Sequence, residues 1–537
     1  MEQLTTEETR EAIRAGSTAL GIELGSTRIK ACLTTLGGET LASGGHEWEN
    51  ALVDGLWSYS LDDVRAGLRA AYADLAADVE RRFGVRIEQV SAVGVSAMMH
   101  GYLALDEAGD QLVPFRTWRN VNTGRAAEAL SEALDVNIPL RWSVAHLFQA
   151  ILDREEHVER LARITTLSGY VHELLTGERI LGVGDASGMF PIDPATGDYD
   201  QDLLRRADEL IVAEGAWRVR LIDVLPAVRR AGEAAGRLTE EGARLLDETG
   251  ALGPGAVACP PEGDAGTGMV ATNAVTPRTG NVSAGTSIFS MVVLERPLAT
   301  RHDEIDIVTT PSGDPVAMVH CNNGASEIGE WARVFHEFAR AIGASVSADD
   351  VFTALLSGAL DQGADDGILA YNHLSGEPIV GLDEGRPVIA RTPGSALSLA
   401  GLMRAQVRGS FATLAIGMRT LADEGVEIDE LRAHGGVFRT QGVAQQLLAE
   451  ALGVPVAVAD TASEGGAWGM AVLAAYAHAC SESTQPALSD WLSERIFASD
   501  GSVTIAPDID AIDDHAAFLD RWSDGLEIER AAVRTMS

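Results

Sequence analysis

A glycine followed by two hydroxyl residues stands twice in this chain where two β-prone runs meet. Gly25-Ser26-Thr27 lies between residues 18–24 (TALGIEL) and 29–36 (IKACLTTL), and Gly285-Thr286-Ser287 lies between Val282-Ser283 and residues 288–294 (IFSMVVL). Such a turn is equipped for an anion: glycine lets the backbone come close, backbone N–H groups and hydroxyls donate, and a nearby cation offsets the charge. Lys30 supplies that cation beside the first turn, and it is the only lysine, since forty of the 41 basic residues are arginine. GC-rich coding accounts for the general depletion of lysine and leaves this exception unexplained. A duplicated architecture would turn the two loops toward one shared anion; as ordinary hairpin connections they would hold none. The turns alone leave both readings open.

The elements that must carry these turns alternate throughout. Ile29, Ala31 and Leu33 against Lys30 and Cys32 predict a strand after the first turn, and residues 90–96 predict another. Helical periodicity covers 61–82, 126–134, 145–161, 327–341 and 399–424, so the fold class is α/β. The Gly/Pro/Ala-rich passage LGPGAVACPPEGDAG puts a domain boundary near residue 270. The expected organisation is a polar N-terminal arm (1–17), a first domain (18–270), a second domain (271–480) and an extension (481–537), whose helix over 515–533 packs on the second domain.

Composition narrows the function. With 537 residues, 46% hydrophobic and 22% charged, the chain has the balance of a multidomain globular protein. A formal charge of −38 repels nucleic acid and anionic membrane surfaces, so neither is an expected partner. Cys32, Cys259, Cys321 and Cys480 are far apart and form no metal-ligand pattern. No apolar run approaches the ~20 residues of a membrane span, and the first fourteen residues lack an apolar signal core, so a cytoplasmic location is expected.

Further stretches complete the set: SAMMHGYLALDEAGDQLVPFRTWRN (96–120), PPEGDAGTGM (260–269) and AHGGVFRTQGVAQQLLAEALGVPV (433–456), the last followed by EGGAWGMAVLAAY. Taken by itself, Asp264 would suit the N-cap of a helix over AGTGMVATNA, a lone His100 after a strand is an ordinary structural residue, and a bare Gly-Gly before an amphipathic helix means little. In this order and spacing, however, the motifs resemble those of the FGGY carbohydrate kinases, the sugar-kinase branch of the actin/hexokinase-like ATPases, with xylulokinase-like members most similar.

That resemblance implies two ribonuclease H-like domains around a central cleft, the first binding sugar and phosphate and the second ATP. It assigns ATP phosphates to Gly25, Ser26, Thr27 and Lys30 in GIELGSTRIK and to Gly285, Thr286 and Ser287, and the nucleotide to Gly435 and Gly436 at a helix N-terminus. It makes Asp264 the catalytic base and a sugar contact, and puts Met99, His100 and Trp118 in the sugar pocket. Glu23 stands where the family has an aspartate near hydrated Mg2+, so Glu23 and Asp264 are the implied metal residues. Asn120 stands where an acid usually binds sugar hydroxyls, and Ala265 where a polar sugar contact is common. The implied activity is ATP- and Mg2+-dependent phosphorylation of a ketopentose such as xylulose. The alternatives are another sugar or polyol (ribulose, fuculose, a glycerol-like substrate), or a catalytically weak sugar- or nucleotide-sensing protein on the same fold. A second copy of the chain is a further candidate partner.

Overall fold

The computed structural model describes residues 5–214, 217, 219–360, 367–459, 465–498 and 501–536. Strand Thr18–Leu24 is buried along its whole length, as a largely apolar run is when both faces of a sheet are covered. It runs antiparallel to Arg28–Thr35, with Glu23 opposite Lys30, and parallel to Ala92–Ala97, with Glu23 opposite Ser96. Thr40–Glu47 extends one side antiparallel, while Val257–Ala258 and Glu262–Gly263 pair parallel with Ala92–Ala97 on the other.

Helix Leu61–Phe83 packs on this sheet at Thr40–Glu47 and Arg28–Thr35. Ser60 caps its start by accepting from the Asp62 and Asp63 N–H groups, and Gly84 ends it in the left-handed region. Helix Gly465–Glu482 packs on Thr18–Leu24 and Ala92–Ala97. Glycine makes that approach possible: a Cβ at Gly21 would lie 2.1 Å from the Ala467 carbonyl, and one at Gly94 2.7 Å from Cε of Met470.

A second sheet repeats the pattern. Thr279–Ala284 is antiparallel to Ile288–Val293 and parallel to Glu430–His434, which is parallel to Val456–Val458, and Val503–Ile505 closes that edge antiparallel. Pro315–Cys321 lies next to Ile288–Val293. In both sheets the first strand therefore lies between its antiparallel hairpin partner and a parallel strand from further along the chain. Helix Leu399–Asp423 buries Met403, Val407, Phe411 and Leu414 in the core of the second. The tail helix Ile509–Thr535 adds Phe518, Leu519, Trp522 and Leu526 to a neighbouring cluster with Tyr371.

The chain forms two compact units. The first comprises Met1–Val275, Asp306–Val316 and Ser463–Asp500; the second comprises Thr276–Ile305, Ala317–Ala462 and Gly501–Ser537. The first break thus falls five residues beyond 270. Residues 463–480, expected to close the second domain, group with the first because their helix fills the glycine-lined face of its sheet. The expected extension is divided as well, between residues 500 and 501. The helix expected over 145–161 is Ser143–Leu152, and Arg154 at φ 56° separates it from the 3-10 turn Glu156–Arg160. The polar arm is itself mostly helix, Thr6–Arg14, with Thr5 and Glu8 forming a capping box.

Candidate active site

In the first unit, the turn at Gly25 leaves Thr27 exposed and Gly25 and Ser26 partly so. The cross-strand register sets Lys30 beside Glu23, and Lys30 Nζ meets Glu23 Oε2 at 3.2 Å. Lys30 keeps 37% of its side chain exposed against 12% for Glu23, so the cation remains free to meet a second anion. The start of helix Gly465–Glu482 reaches this pair: a Cβ at Gly466 would lie 2.6 Å from Glu23 Oε1. Glu464, the first residue of the EGGAWG stretch, lies outside the described residues.

Asp264 opens helix Asp264–Ala271, and Gly263, not Asp264, is its N-cap. No side-chain cap bond forms there, so the aspartate is not spent on helix capping. The pairing of Glu262 with Ser96 and Gly263 with Ala97 brings it alongside the end of the neighbouring strand, where its Oδ1 accepts from the Met99 N–H at 3.1 Å. Burial pushes the carboxyl up to about 6; the Met99 bond opposes the shift, and the negative charges of Glu23 and Asp185 add to it. The result is a carboxylate held in place by backbone and poised to take a proton near neutral pH.

Two further acids sit behind it. Asp185 is buried, and its Oδ2 accepts from Thr166 Oγ1 at 2.6 Å and from Ser168 Oγ. Its Oδ1 is buried with no hydrogen-bond partner, 3.3 Å from where a Gly263 Cβ would stand. Burial raises its carboxyl to about 6 as well, against the two hydroxyl bonds. Glu262 is buried and accepts from the Asp185 N–H at 3.0 Å and the Gly184 N–H at 3.4 Å; burial raises it well above the usual carboxylate range.

Met99 and His100 are buried, at the turn leaving strand Ala92–Ala97. His100 at φ 70° and Gly101 at φ 101° form two successive left-handed residues, and such strain in a non-glycine residue is found where surroundings over-determine it. His100 Nδ1 lies 3.4 Å from the Gly188 carbonyl, and its ring stacks on Trp142 at 6.5 Å. A Cβ at Gly188 would come within 2.5 Å of His100 Nδ1 and 2.9 Å of Met99 Cε, so glycine there is what admits both side chains. Trp118 is exposed. Asn120 behaves otherwise than expected: its Oδ1 accepts from the Trp57 N–H at 2.8 Å, and its Nδ2 donates to the Trp57 and Thr117 carbonyls at 2.9 and 3.1 Å. The whole carboxamide is spent on backbone, so Asn120 holds the segment around Trp57 and offers no donor to a sugar.

In the second unit, Gly285 and Thr286 are exposed and Ser287 partly so. Gly435 adopts φ 121°, and a Cβ there would lie 2.1 Å from the Ala284 carbonyl, the residue just before the turn. Gly436 faces open space. The pair does not open a long helix as expected: Gly436–Arg439 is a 3-10 turn, and helix Val443–Leu452 starts only after Gly442 at φ 82°. Two positive-φ glycines interrupt the helical path.

Chemistry-bearing residues missed in the sequence are Asp185 and Glu262. Asp185, in DASG at 185–188, carries no local sign of its burial, and Glu262 was masked by its neighbour Asp264.

Among solved structures, the chain is similar to a xylulose kinase from Rhodospirillum rubrum (TM-score 0.74, 20% identity, covering 94% of this chain and 98% of that one). It is also similar to a gluconate kinase from Lactobacillus acidophilus (TM-score 0.75, 16% identity, 96% and 98%). These likenesses, together with the repeated strand arrangement, define two α/β domains of the actin/hexokinase ATPase fold. The N-terminal domain model of the FGGY family of carbohydrate kinases matches residues 18–250 and its C-terminal domain model residues 280–478, so the chain belongs to that family. A xylulose kinase of Klebsiella pneumoniae is 25% identical over 260 residues, 47% of this chain. The chain spans about half the length of that curated relative, 50%.

Proposed function

We propose that the protein is an ATP-dependent kinase that phosphorylates a hydroxyl of a small sugar, with a ketopentose such as xylulose as the first candidate and Asp264 as general base. The observation that carries this reading is the Asp264 carboxylate, anchored by the Met99 N–H and raised to about 6, with the Glu23–Lys30 pair on the neighbouring strands. The sugar hydroxyl gives its proton to Asp264 as its oxygen attacks the γ-phosphorus in line, and ADP leaves. Lys30, the Ser26 and Thr27 donors and the Gly285-Thr286-Ser287 turn hold phosphoryl oxygens, and Gly435-Gly436 lets the nucleotide approach the backbone. Met99, His100 and Trp118 line the sugar site in the first unit. Phosphoryl transfer draws most of its rate from positioning and charge, which is what these groups supply.

Mg2+ keeps several waters and needs only one or two protein carboxylates beside substrate phosphates. Glu23 and Asp264 fit that demand with hard oxygen groups whose charges act on each other, and the described residues contain no cluster of three or more ligating side chains that would form a full protein cage. When bound, the ion neutralises charge on the phosphates. No helix of the described residues is long and apolar enough to cross a membrane.

The test is ADP release with Mg-ATP across ketoses, aldoses, sugar acids and polyols, with a no-sugar control. Sugar-dependent turnover that Asp264→Ala abolishes, with sugar binding retained, supports the reading. Binding without turnover for every sugar moves the protein to a sensing role.

A further inference from the structure

We infer that Trp48 and Tyr59 are positioning residues for phosphate: a stacked aromatic pair that fixes the direction of the donor N–H groups in the Gly25-Ser26-Thr27 turn. The inference rests on the phosphate role proposed above for that turn. The two rings stack with centroids 4.2 Å apart and planes 29° off parallel, and both residues are buried. Three donors of this pair meet three successive carbonyls. Trp48 Nε1 donates to the Gly25 carbonyl at 2.7 Å, Tyr59 Oη to the Ser26 carbonyl at 2.6 Å, and the Trp48 backbone N–H to the Thr27 carbonyl at 3.1 Å.

The consequence follows from the planarity of the peptide unit. In a trans peptide the N–H of one residue points opposite to the C=O of the residue before it. Holding the Gly25 and Ser26 carbonyls toward the aromatic pair therefore turns the Ser26 and Thr27 N–H groups the other way, on the exposed side of the turn. Neither N–H meets a protein acceptor among the described residues. Two adjacent N–H groups aimed at one side form an anion-binding concavity, and fixing them in advance removes the cost of ordering them when the anion arrives.

The second unit contains an internal control. Its turn has the same two carbonyls held, but by backbone: the Ala325 N–H donates to the Gly285 carbonyl and the Gly324 N–H to the Thr286 carbonyl, each at 2.8 Å. A Cβ at Gly324 would fall 2.5 Å from the Gly285 carbonyl, so glycine is needed for that contact. The same carbonyl positions are thus held in both turns by unrelated donors, which is what selection for N–H direction would leave and what mere loop packing would not. Tyr59 suits the task because burial raises its phenol above the usual range, against Asn50, Arg119 and Ser26, so it stays a donor.

The test uses Tyr59→Phe and Trp48→Phe in the full-length protein; each removes one donor and keeps a ring in the stack. One neutral hydrogen bond corresponds to roughly a 2- to 12-fold effect. Each variant is expected to weaken ADP binding, measured by calorimetry, and to raise KM for ATP by about fivefold, while KM for sugar and the affinity for adenosine stay within about twofold. Lys30→Met serves as the reference for the phosphate role itself. ADP affinity unchanged in the aromatic variants but weakened in Lys30→Met overturns the positioning role and leaves the turn a phosphate site. Equal losses for ADP and adenosine overturn it in favour of a purely structural pair. ADP affinity unchanged in all three removes the phosphate role of the turn and the inference with it.

Discussion

If Asp264 takes the sugar proton, the enzyme loses activity as that carboxylate is protonated, and the structure sets the pH at which this occurs. An ordinary aspartate titrates near 3.8, and burial brings Asp264 to about 6. At pH 5 only about one tenth of the molecules then hold it ionised, so kcat/KM stands about tenfold below its plateau at pH 8 and falls about tenfold per further unit. Asp185→Asn removes a negative charge that contributes to the shift and moves the acid limb to lower pH. Stability runs the opposite way. The folded pKa lies above the unfolded one, so the folded state binds the proton more tightly, and stability falls as pH rises from 3.8 through 6 and is flat above. Replacing the acid by Asn, which retains an acceptor for the Met99 N–H, relieves that cost by up to about 3 kcal/mol at pH 8 and by roughly half as much at pH 5. The assays are kcat/KM from pH 4 to 8.5 at saturating Mg-ATP, and urea denaturation of Asp264→Asn at the two pH values. An activity plateau that persists to pH 4, or an Asn variant equally affected at pH 5 and 8, refutes the assignment of a raised, ionised Asp264.

Two more predictions concern the second unit. Gly435→Ala forces a Cβ onto the Ala284 carbonyl at φ 121°, at a backbone cost of about 1–3 kcal/mol before the clash is counted, while Gly436→Ala, in open space, stays within about 0.5 kcal/mol; paired urea melts and ADP titrations distinguish them. Trp522→Ala removes a fully buried ring and its Nε1 bond to the Ala370 carbonyl at 2.9 Å, which should lower the unfolding free energy of this unit by about 3–5 kcal/mol, read as an earlier denaturation transition by tryptophan-independent circular dichroism.

Long periodic segments were the most legible. The helices expected over 61–82 and 399–424 are Leu61–Phe83 and Leu399–Asp423, because a sustained apolar stripe admits one period and Ser60 and Gly84 mark the ends of the first. Both hairpin turns were legible because glycine and hydroxyl residues break two β-prone runs. What could not be read depended on partners distant in sequence. Asn120 is spent on Trp57, 63 residues away, and no local pattern reports that. Trp48 and Tyr59 look like ordinary core aromatics until their donors are seen to meet the Gly25 and Ser26 carbonyls. The Gly-Gly at 435–436 reads as a helix start because the amphipathic run follows closely, but the positive φ values of Gly435 and Gly442 are backbone facts with no signature beyond glycine itself.

The helix Gly465–Glu482 gives the first unit an unusual order of assembly. Its central strand, Thr18–Leu24, is made near the start of that unit, yet the helix that covers one face of it emerges roughly 200 residues after Met1–Val275, the bulk of the unit, is complete. At about 5–20 residues per second of synthesis, the surface around Gly21 and Gly94 stays uncovered for about 10–40 seconds, while most of the second sheet is being made. A nascent chain of this protein therefore carries a finished but one-sided first sheet throughout that interval, and any truncation before residue 465 leaves that apolar face permanently open to chaperones and to other copies of itself.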